Sequence, residues 1–296
     1  MLALVNLTTI KRSGRGLELL AVLPIAIPLL LATAWPRWMV MWLICGGIFA
    51  GCKWLTWRRA RVTDATVARQ LGYLFAWPGL DADRFLDNSS TINKPRLNEW
   101  LFAAGKLLFG AALLYSAARW LSTEEPLLRG WTAMLGLIFT LHFGLFHLLS
   151  CAWRAAGVAA EPLMDWPIAA TSLAEFWGRR WNAAFRDLTH RFLFRPLLPR
   201  LGAKRALLVV FVLSGLVHEL AITFPAGGGY GGPTCYFLLQ AGGLLVERST
   251  VGKVLGLAHR WRGWLFSALL LVLPVGLLFP PVFVREVMVP MLEAMT

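Results

Sequence analysis

The stretch Arg205–Phe224, RALLVVFVLSGLVHELAITF, decides how the rest of the chain is read. Ala206–Leu213 carries no polar side chain, and the whole run is long enough to cross a hydrocarbon core, which takes about 20 mostly apolar residues. One such helix could be buried inside a soluble protein. Here Leu17–Ala34, Trp38–Leu55, Trp100–Leu121, Trp131–Ala152, Pro233–Val246 and Trp264–Phe283 have the same character, the Pro233 run being the shortest. Of 296 residues, 57% are hydrophobic and 15% charged, against about 25% charged in soluble domains. Lipid leaves a backbone amide no partner outside its own helix. The expected fold class is therefore all-α: a polytopic integral membrane protein with about seven transmembrane helices plus interfacial amphipathic helices, forming a single domain over residues 1–296.

The formal net charge is +13. On a soluble chain that would point to nucleic acid. Here the basic residues lie between apolar runs, so they set orientation through the positive-inside bias and attract anionic lipid heads. The basic blocks are Lys11–Arg15, Lys53–Arg61, Arg154–Arg205 and Lys253–Arg262. The links STEEP (Ser122–Pro126) and FPAGGGYGGP (Phe224–Pro233) contain no Lys or Arg. The two kinds of link alternate, which predicts seven spans with the N-terminus cytoplasmic. Arg far outnumbers Lys and Ala, Gly and Leu abound, as in a bacterial inner-membrane protein. ATA at Ala32–Ala34 imitates a signal-peptide cleavage site, but the apolar run continues beyond it, so a retained helical hairpin is the simpler expectation. Cys45, Cys52, Cys151 and Cys235 form no C-x-x-C pair and read as small apolar residues.

Two polar segments interrupt this pattern. Leu71–Leu86, LGYLFAWPGLDADRFL, is broken by Pro78–Gly79 and is expected at the membrane surface. Thr171–Phe192, TSLAEFWGRRWNAAFRDLTHRF, is the second. At about 100° per residue, Trp177, Trp181, Phe185, Leu188 and Phe192 fall within an arc of roughly 80°. Arg179, Arg186 and His190 gather opposite, and Asn182 lies on the border. One continuous amphipathic helix ending at Pro196 is predicted. At such a border Asn182 is either a wetted polar residue that tolerates Ala, or part of a reaction chamber where lipid meets water.

His218 and Glu219 stand inside the apolar run. An ionised side chain at mid-bilayer costs about 2.5–3.5 kcal/mol on insertion scales. A neutral imidazole costs less and can accept a proton, as a general base must; the alternative is a histidine bonded to a backbone carbonyl. Ser214, one turn earlier, could form a nucleophilic dyad with His218, but VLSGL is no nucleophile elbow, and packing or a hydrogen bond to His218 is the better expectation. His142 and His147 are spaced by five, a poor match to a shared metal face. GGGYGG (Gly227–Gly232) lacks the preceding strand that a dinucleotide loop needs and reads as a turn. Glu247–Arg248 reads as an interfacial charge pair.

Glu161–Asn182, EPLMDWPIAATSLAEFWGRRWN, resembles the wax synthase-like branch of the membrane-bound O-acyltransferase family. SGLVHEL (Ser214–Leu220) is similar to that family's membrane-embedded histidine segment, and FAWPGLD (Phe75–Asp81) is a third, weaker match. The resemblance implies transfer of an acyl group from acyl-CoA to the hydroxyl of a hydrophobic alcohol, with His218 and Asn182 as catalytic residues. Arg179, Arg180 and Arg186 would meet CoA phosphates. Trp177, Trp181, Ser214 and Glu219 complete the expected substrate-binding set, with no metal and no bound cofactor. The expected partners are acyl-CoA, the alcohol and membrane lipids, with no nucleic acid. Related enzymes also acetylate sterols or other hydrophobic natural products, so the reaction is better defined than the substrate. Two other classes compete. A transporter would show inverted repeats, and none is visible; a haem or quinone protein would use His142, His147 and His218.

Overall fold

Within the described residues the long apolar runs are mainly helical, as lipid requires of them. The computed structural model describes residues 23–30, 32–62, 64–88 and 91–295, and among these there is no β-strand. The principal helices are α1 (Leu23–Leu30), α2 (Arg37–Arg58), α3 (Val67–Ala76), α4 (Ala82–Leu86), α5 (Leu97–Arg119), α6 (Pro126–Ala155), α7 (Ala183–Ala226), α8 (Gly232–Arg248) and α9 (Arg260–Leu278). Five of them, α2, α5, α6, α7 and α9, are long and apolar enough to cross a membrane. α8, with 17 residues, sits at the lower edge of the spanning range of about 17–25. Of the expected Leu17–Ala34 span, Leu23–Leu30 is helical and Ala32–Ala34 a 3-10 turn, and the other positions lie outside the described residues.

Consecutive spans run in opposite directions, and this gives the bundle two ends. At one end, Arg37 of α2 donates to the Ala226 carbonyl at the close of α7 (2.7 Å) and pairs with Glu286 (3.0 Å), while Arg129 of α6 pairs with Glu293 (3.5 Å). The glycine turn lies at this end, with Gly227, Gly229 and Gly231 at positive φ. At the other end, buried Lys53 of α2 donates to the Gly79 carbonyl (2.5 Å) and lies 3.5 Å above the Tyr73 ring. Trp153 of α6 donates to the Ala76 carbonyl (2.9 Å).

The Leu71–Leu86 segment turns one side into the protein and leaves Leu71 and Phe75 exposed. Tyr73, Trp77, Leu80, Phe85 and Leu86 form a core with Trp57 and Leu163. The Pro78–Gly79 break is real: α3 ends at extended Trp77, and Asp81 caps α4 by accepting the Arg84 N–H (3.1 Å). A Cβ at Gly79 would collide with the Trp77 indole.

The predicted amphipathic helix is corrected in two places. Thr171–Phe192 is not one helix: Trp181 is extended (φ −101°, ψ 124°) and Asn182 left-handed (φ 45°, ψ 67°), so the chain breaks there before α7 starts at Ala183. Nor does Pro196 end the helix. A π-helical segment, His190–Phe194, precedes it, and the helix continues through Arg195 and Pro196. The break comes at Gly202 (φ 71°, ψ 165°), which separates the surface-lying part of α7 from the membrane-crossing part.

Candidate active site

Leu173–Glu175 and the π turn Phe176–Arg180 carry the polar signature. The short helix begins with a reciprocal cap: Ser172 Oγ accepts the Glu175 N–H (2.9 Å), and Glu175 Oε2 accepts the Thr171 N–H (2.8 Å). That bond from the Thr171 backbone, reinforced by Arg180, holds the Glu175 carboxyl below the usual carboxylate range. Arg180 closes the segment into a clasp. It pairs with Glu175 (2.7 Å) and donates to the carbonyls of Asp165 (3.0 Å) and Trp166 (3.3 Å). Its own carbonyl accepts the Asp165 N–H (2.9 Å), and Leu163 O accepts the Ala183 N–H (2.9 Å). Trp166 (φ 46°) and Asn182 are both left-handed and bracket the clasp, a strained geometry of the kind found at functional sites.

The expected arginine cluster therefore divides. Arg180 is spent inside the clasp. Arg186 donates to Asp187 (2.7 Å) and to the carbonyls of Gly178 (3.2 Å) and Arg179 (3.4 Å). Arg179 is the open one: two-thirds exposed and, among the described residues, ion-paired with half-exposed Asp165 alone. The two tryptophans also part. Trp181 stacks on Phe176 (5.5 Å) and meets Phe143 of α6. Trp177 packs edge-on to Phe211 (5.7 Å), leans on Phe237 (5.8 Å), and donates to Gln240 Oε1 (3.4 Å).

His218 packs on the same Phe237 ring, 4.5 Å between centroids. Its Nδ1 lies 2.7 Å from the Ser214 carbonyl. A carbonyl can only accept, so Nδ1 carries the hydrogen and Nε2 presents a lone pair. The Ser214 hydroxyl instead donates to the Val210 carbonyl (2.9 Å), so no Ser214–His218 dyad forms. Glu219 faces away from the imidazole. Its carboxylate accepts the Thr234 N–H (3.0 Å) and the hydroxyls of Thr234 (2.9 Å) and Thr223 (2.5 Å), tying α7 to the start of α8. Trp177 and His218 are thus brought together through Phe237, whereas no hydrogen bond among the described residues joins Asn182 to His218. Asn182 Oδ1 accepts the Phe185 N–H (3.4 Å) as the cap of α7, and its Nδ2 has no hydrogen-bond partner among the described residues. The expectation that Ala would be tolerated there is corrected, since Ala keeps neither the cap nor an easy left-handed conformation.

Gln240 carries no reading in the sequence, and Glu247 reads there only as half of an interfacial charge pair. Fully buried Gln240 bridges Trp177 and the Leu270 carbonyl (2.8 Å). Glu247 is no interfacial charge: it is buried, and its carboxylate accepts the Leu173 (2.6 Å) and Ala174 (3.2 Å) N–H groups. The visible signal was two polar residues a heptad apart in an apolar helix. The haem alternative loses its geometry, because His147 is engaged by Lys106 (2.7 Å) and Glu99 (3.0 Å). Glu99, His147 and Cys151 converge closely enough for a metal ion, but Arg154 bonds Glu99 and Lys106 bonds His147, so two cations already occupy that donor set.

Residues 160–239, which hold both Asn182 and His218, match the membrane bound O-acyl transferase family. The chain is 34% identical over 171 residues to the probable long-chain-alcohol O-fatty-acyltransferase 2 of Arabidopsis thaliana, covering 52% of this chain and 47% of that one. It is 29% identical over 163 residues to the long-chain-alcohol O-fatty-acyltransferase of Simmondsia chinensis, covering 45% and 46%. The chain spans about half the length of the curated relatives it matches. The signature, the embedded histidine and these similarities fall in one segment, over which the chain is similar to the membrane bound O-acyl transferase family and to long-chain-alcohol O-fatty-acyltransferases.

Proposed function

We propose that the protein is an integral-membrane O-acyltransferase that moves an acyl group from acyl-CoA to the hydroxyl of a hydrophobic alcohol. The observation that carries this reading is the His218 imidazole, whose hydrogen bond to Ser214 leaves Nε2 free to take a proton within an apolar helix. An alcohol attacks a thioester poorly unless a base removes its proton as the C–O bond forms. In the proposed sequence Nε2 takes that proton while the alcohol oxygen adds to the thioester carbonyl. The Asn182 Nδ2 hydrogens stabilise the oxyanion. The C–S bond then breaks, the imidazolium returns the proton to the CoA thiolate, and the ester departs into lipid. Arg179 is the first candidate for a CoA phosphate contact because it is the most open of the three arginines. Trp177 and Trp181 supply apolar surface beside the path of the alcohol. The chemistry calls for no metal or bound cofactor. The proposed setting is a bacterial inner membrane with the N-terminus in the cytoplasm.

The test is purified protein incubated with acyl-CoAs from acetyl to long-chain and with alcohols from fatty alcohols to sterols, read by lipid mass spectrometry. Ester should form with at least one pair; none from any pair in folded protein overturns the reading. An acetylated sterol alone would reassign the acceptor class. His218→Ala and His218→Gln should both abolish transfer while leaving expression intact. A His218→Ala rate above about a tenth of wild type, a barrier change under about 1.4 kcal/mol, would remove His218 from the mechanism.

A further inference from the structure

Along α8, Thr234, Phe237, Gln240, Gly243 and Glu247 recur every three or four residues in a strip that winds round the helix, and each meets α7 or the signature segment. Thr234 bonds Glu219, next to His218. Phe237 lies under His218 and beside Trp177. Gln240 accepts the Trp177 indole N–H. A Cβ on Gly243 would stand 2.8 Å from Leu173 Cδ2. Glu247 accepts the Leu173 and Ala174 N–H groups.

The last contact is unusual in its economy. A helix leaves its first N–H groups unpaired, and a nearby Ser, Thr, Asp or Asn normally serves them. Here Ser172 serves Glu175, yet the Leu173 and Ala174 donors are served by a buried carboxylate on another helix. A local cap would satisfy the same groups. A borrowed one also fixes where the signature helix stands relative to α8, and so relative to the Phe237 ring against His218. Gln240 repeats the device one turn past the signature's first residues, anchoring the Trp177 ring that shares Phe237. Both residues lie beyond the segment that matches the family, which ends at residue 239.

We propose that α8 is a positioning spine for the acyl transfer put forward above, and that Gln240 and Glu247 are its positioning residues. They touch no reacting atom; they hold Trp177 and the signature helix so that Phe237 keeps the His218 imidazole in register. This inference rests on the proposed function for its kinetic arm only. In the full-length chain, Gln240→Leu and Glu247→Ala should lower kcat about tenfold or more, with the KM for acyl-CoA changed by less than about twofold. Glu247→Gln, which keeps one carbonyl acceptor, should recover part of the loss. Trp177→Phe removes the indole N–H, so Gln240→Leu should cost less in that background than in the wild type, where it breaks the bond to Trp177 as well as the one to Leu270. Independently of turnover, carbethoxylation of His218 by diethyl pyrocarbonate, followed by peptide mass spectrometry, should change rate in Gln240→Leu and in Glu247→Gln. Wild-type kcat and His218 reactivity in folded Gln240→Leu and Glu247→Gln overturn the spine, as does full additivity with Trp177→Phe. If Glu247→Ala does not fold, those two variants decide. If the wild-type chain transfers no acyl group, the modification rates still decide the spine, and the proposed function fails separately.

Discussion

Asparagine suits position 182 for two separable reasons. It tolerates the left-handed conformation (φ 45°) that breaks the chain after Trp181, and its Oδ1 caps α7 at Phe185. Its Nδ2 is the part that chemistry could use. Asn182→Asp keeps the cap and the conformation but has no amide hydrogen to donate. It should melt near the wild-type temperature while kcat falls about 10²–10³-fold, the loss typical of one oxyanion donor. Asn182→Ala should lose activity and also about 2 kcal/mol of stability, from the cap and the backbone together. Thermal melts and turnover on both variants check this, and an active Asn182→Asp would confine Asn182 to its structural role. His218 was legible in the sequence because an ionisable group in an apolar run is costly and conspicuous. Asn182's conformation was not, because a helical wheel assumes an unbroken helix and a left-handed residue leaves no trace in periodicity. Gln240 and Glu247 were missed because their partners, Trp177 and Leu173, lie 63 and 74 positions away.

At the scale of elements, the 163–183 clasp and the α5–α6 pair show how the same residue type takes opposite roles. Arg179 and Arg180 are adjacent and chemically identical, and only the fold separates them. Arg180→Gln should cost on the order of 1.5–3 kcal/mol, as for a hydrogen bond to a charged group. Arg179→Gln, an exposed pair, should cost at most about 1 kcal/mol. If Arg179 meets a CoA phosphate, that variant should instead raise the KM for acyl-CoA, with added salt shrinking the difference. The clasp is also pH-sensitive. Because the folded Glu175 carboxyl titrates below its ordinary value, its contribution is present above about pH 4.3 and is lost as pH falls through the lower folded value. Glu175→Gln should flatten that part of the stability profile. In α5, a Cβ on Gly110 would strike the Thr140 backbone of α6, whereas Gly105 has nothing within 4 Å. Gly110→Ala should therefore destabilise by about 1–3 kcal/mol as the helices are forced apart, and Gly105→Ala should be neutral or stabilising by up to about 1 kcal/mol. Equal melting temperatures for the two would contradict the close packing of this pair. The spans themselves were legible from hydropathy. The π-helical segments at Ile138–Leu145, His190–Phe194 and Glu219–Thr223 were not, since they change local hydrogen bonding without altering the apolar pattern.

For the whole molecule, the question is which end faces the cytoplasm. The antiparallel spans bring Arg59, Arg61, Arg154, Arg179, Arg195, Lys204, Lys253 and Arg262 to the end that holds the clasp. The opposite end holds fewer among the described residues: Arg37, Arg119, Arg129 and Arg285. Positive-inside bias acts on Lys and Arg close to span ends, so the clasp end is the proposed cytoplasmic one. That is also where a soluble, phosphate-bearing donor such as acyl-CoA would arrive. Ala203 and Tyr230 flank the membrane-crossing part of α7: Ala203 follows the Gly202 break, and Tyr230 is exposed in the glycine turn. Roughly 35 Å of helix separates the Gly202 break from the end of α7 at 1.5 Å per residue, enough for a core of about 30 Å. The four cysteines are free, so a cysteine-free background removes no disulfide. In that background an impermeant thiol reagent applied to intact cells should label Tyr230→Cys and spare Ala203→Cys, which should react only after the membrane is opened. Labelling of Ala203→Cys from outside would invert the molecule. It would place the clasp and its arginines on the face that acyl-CoA does not reach, and the donor assignment would fall with it.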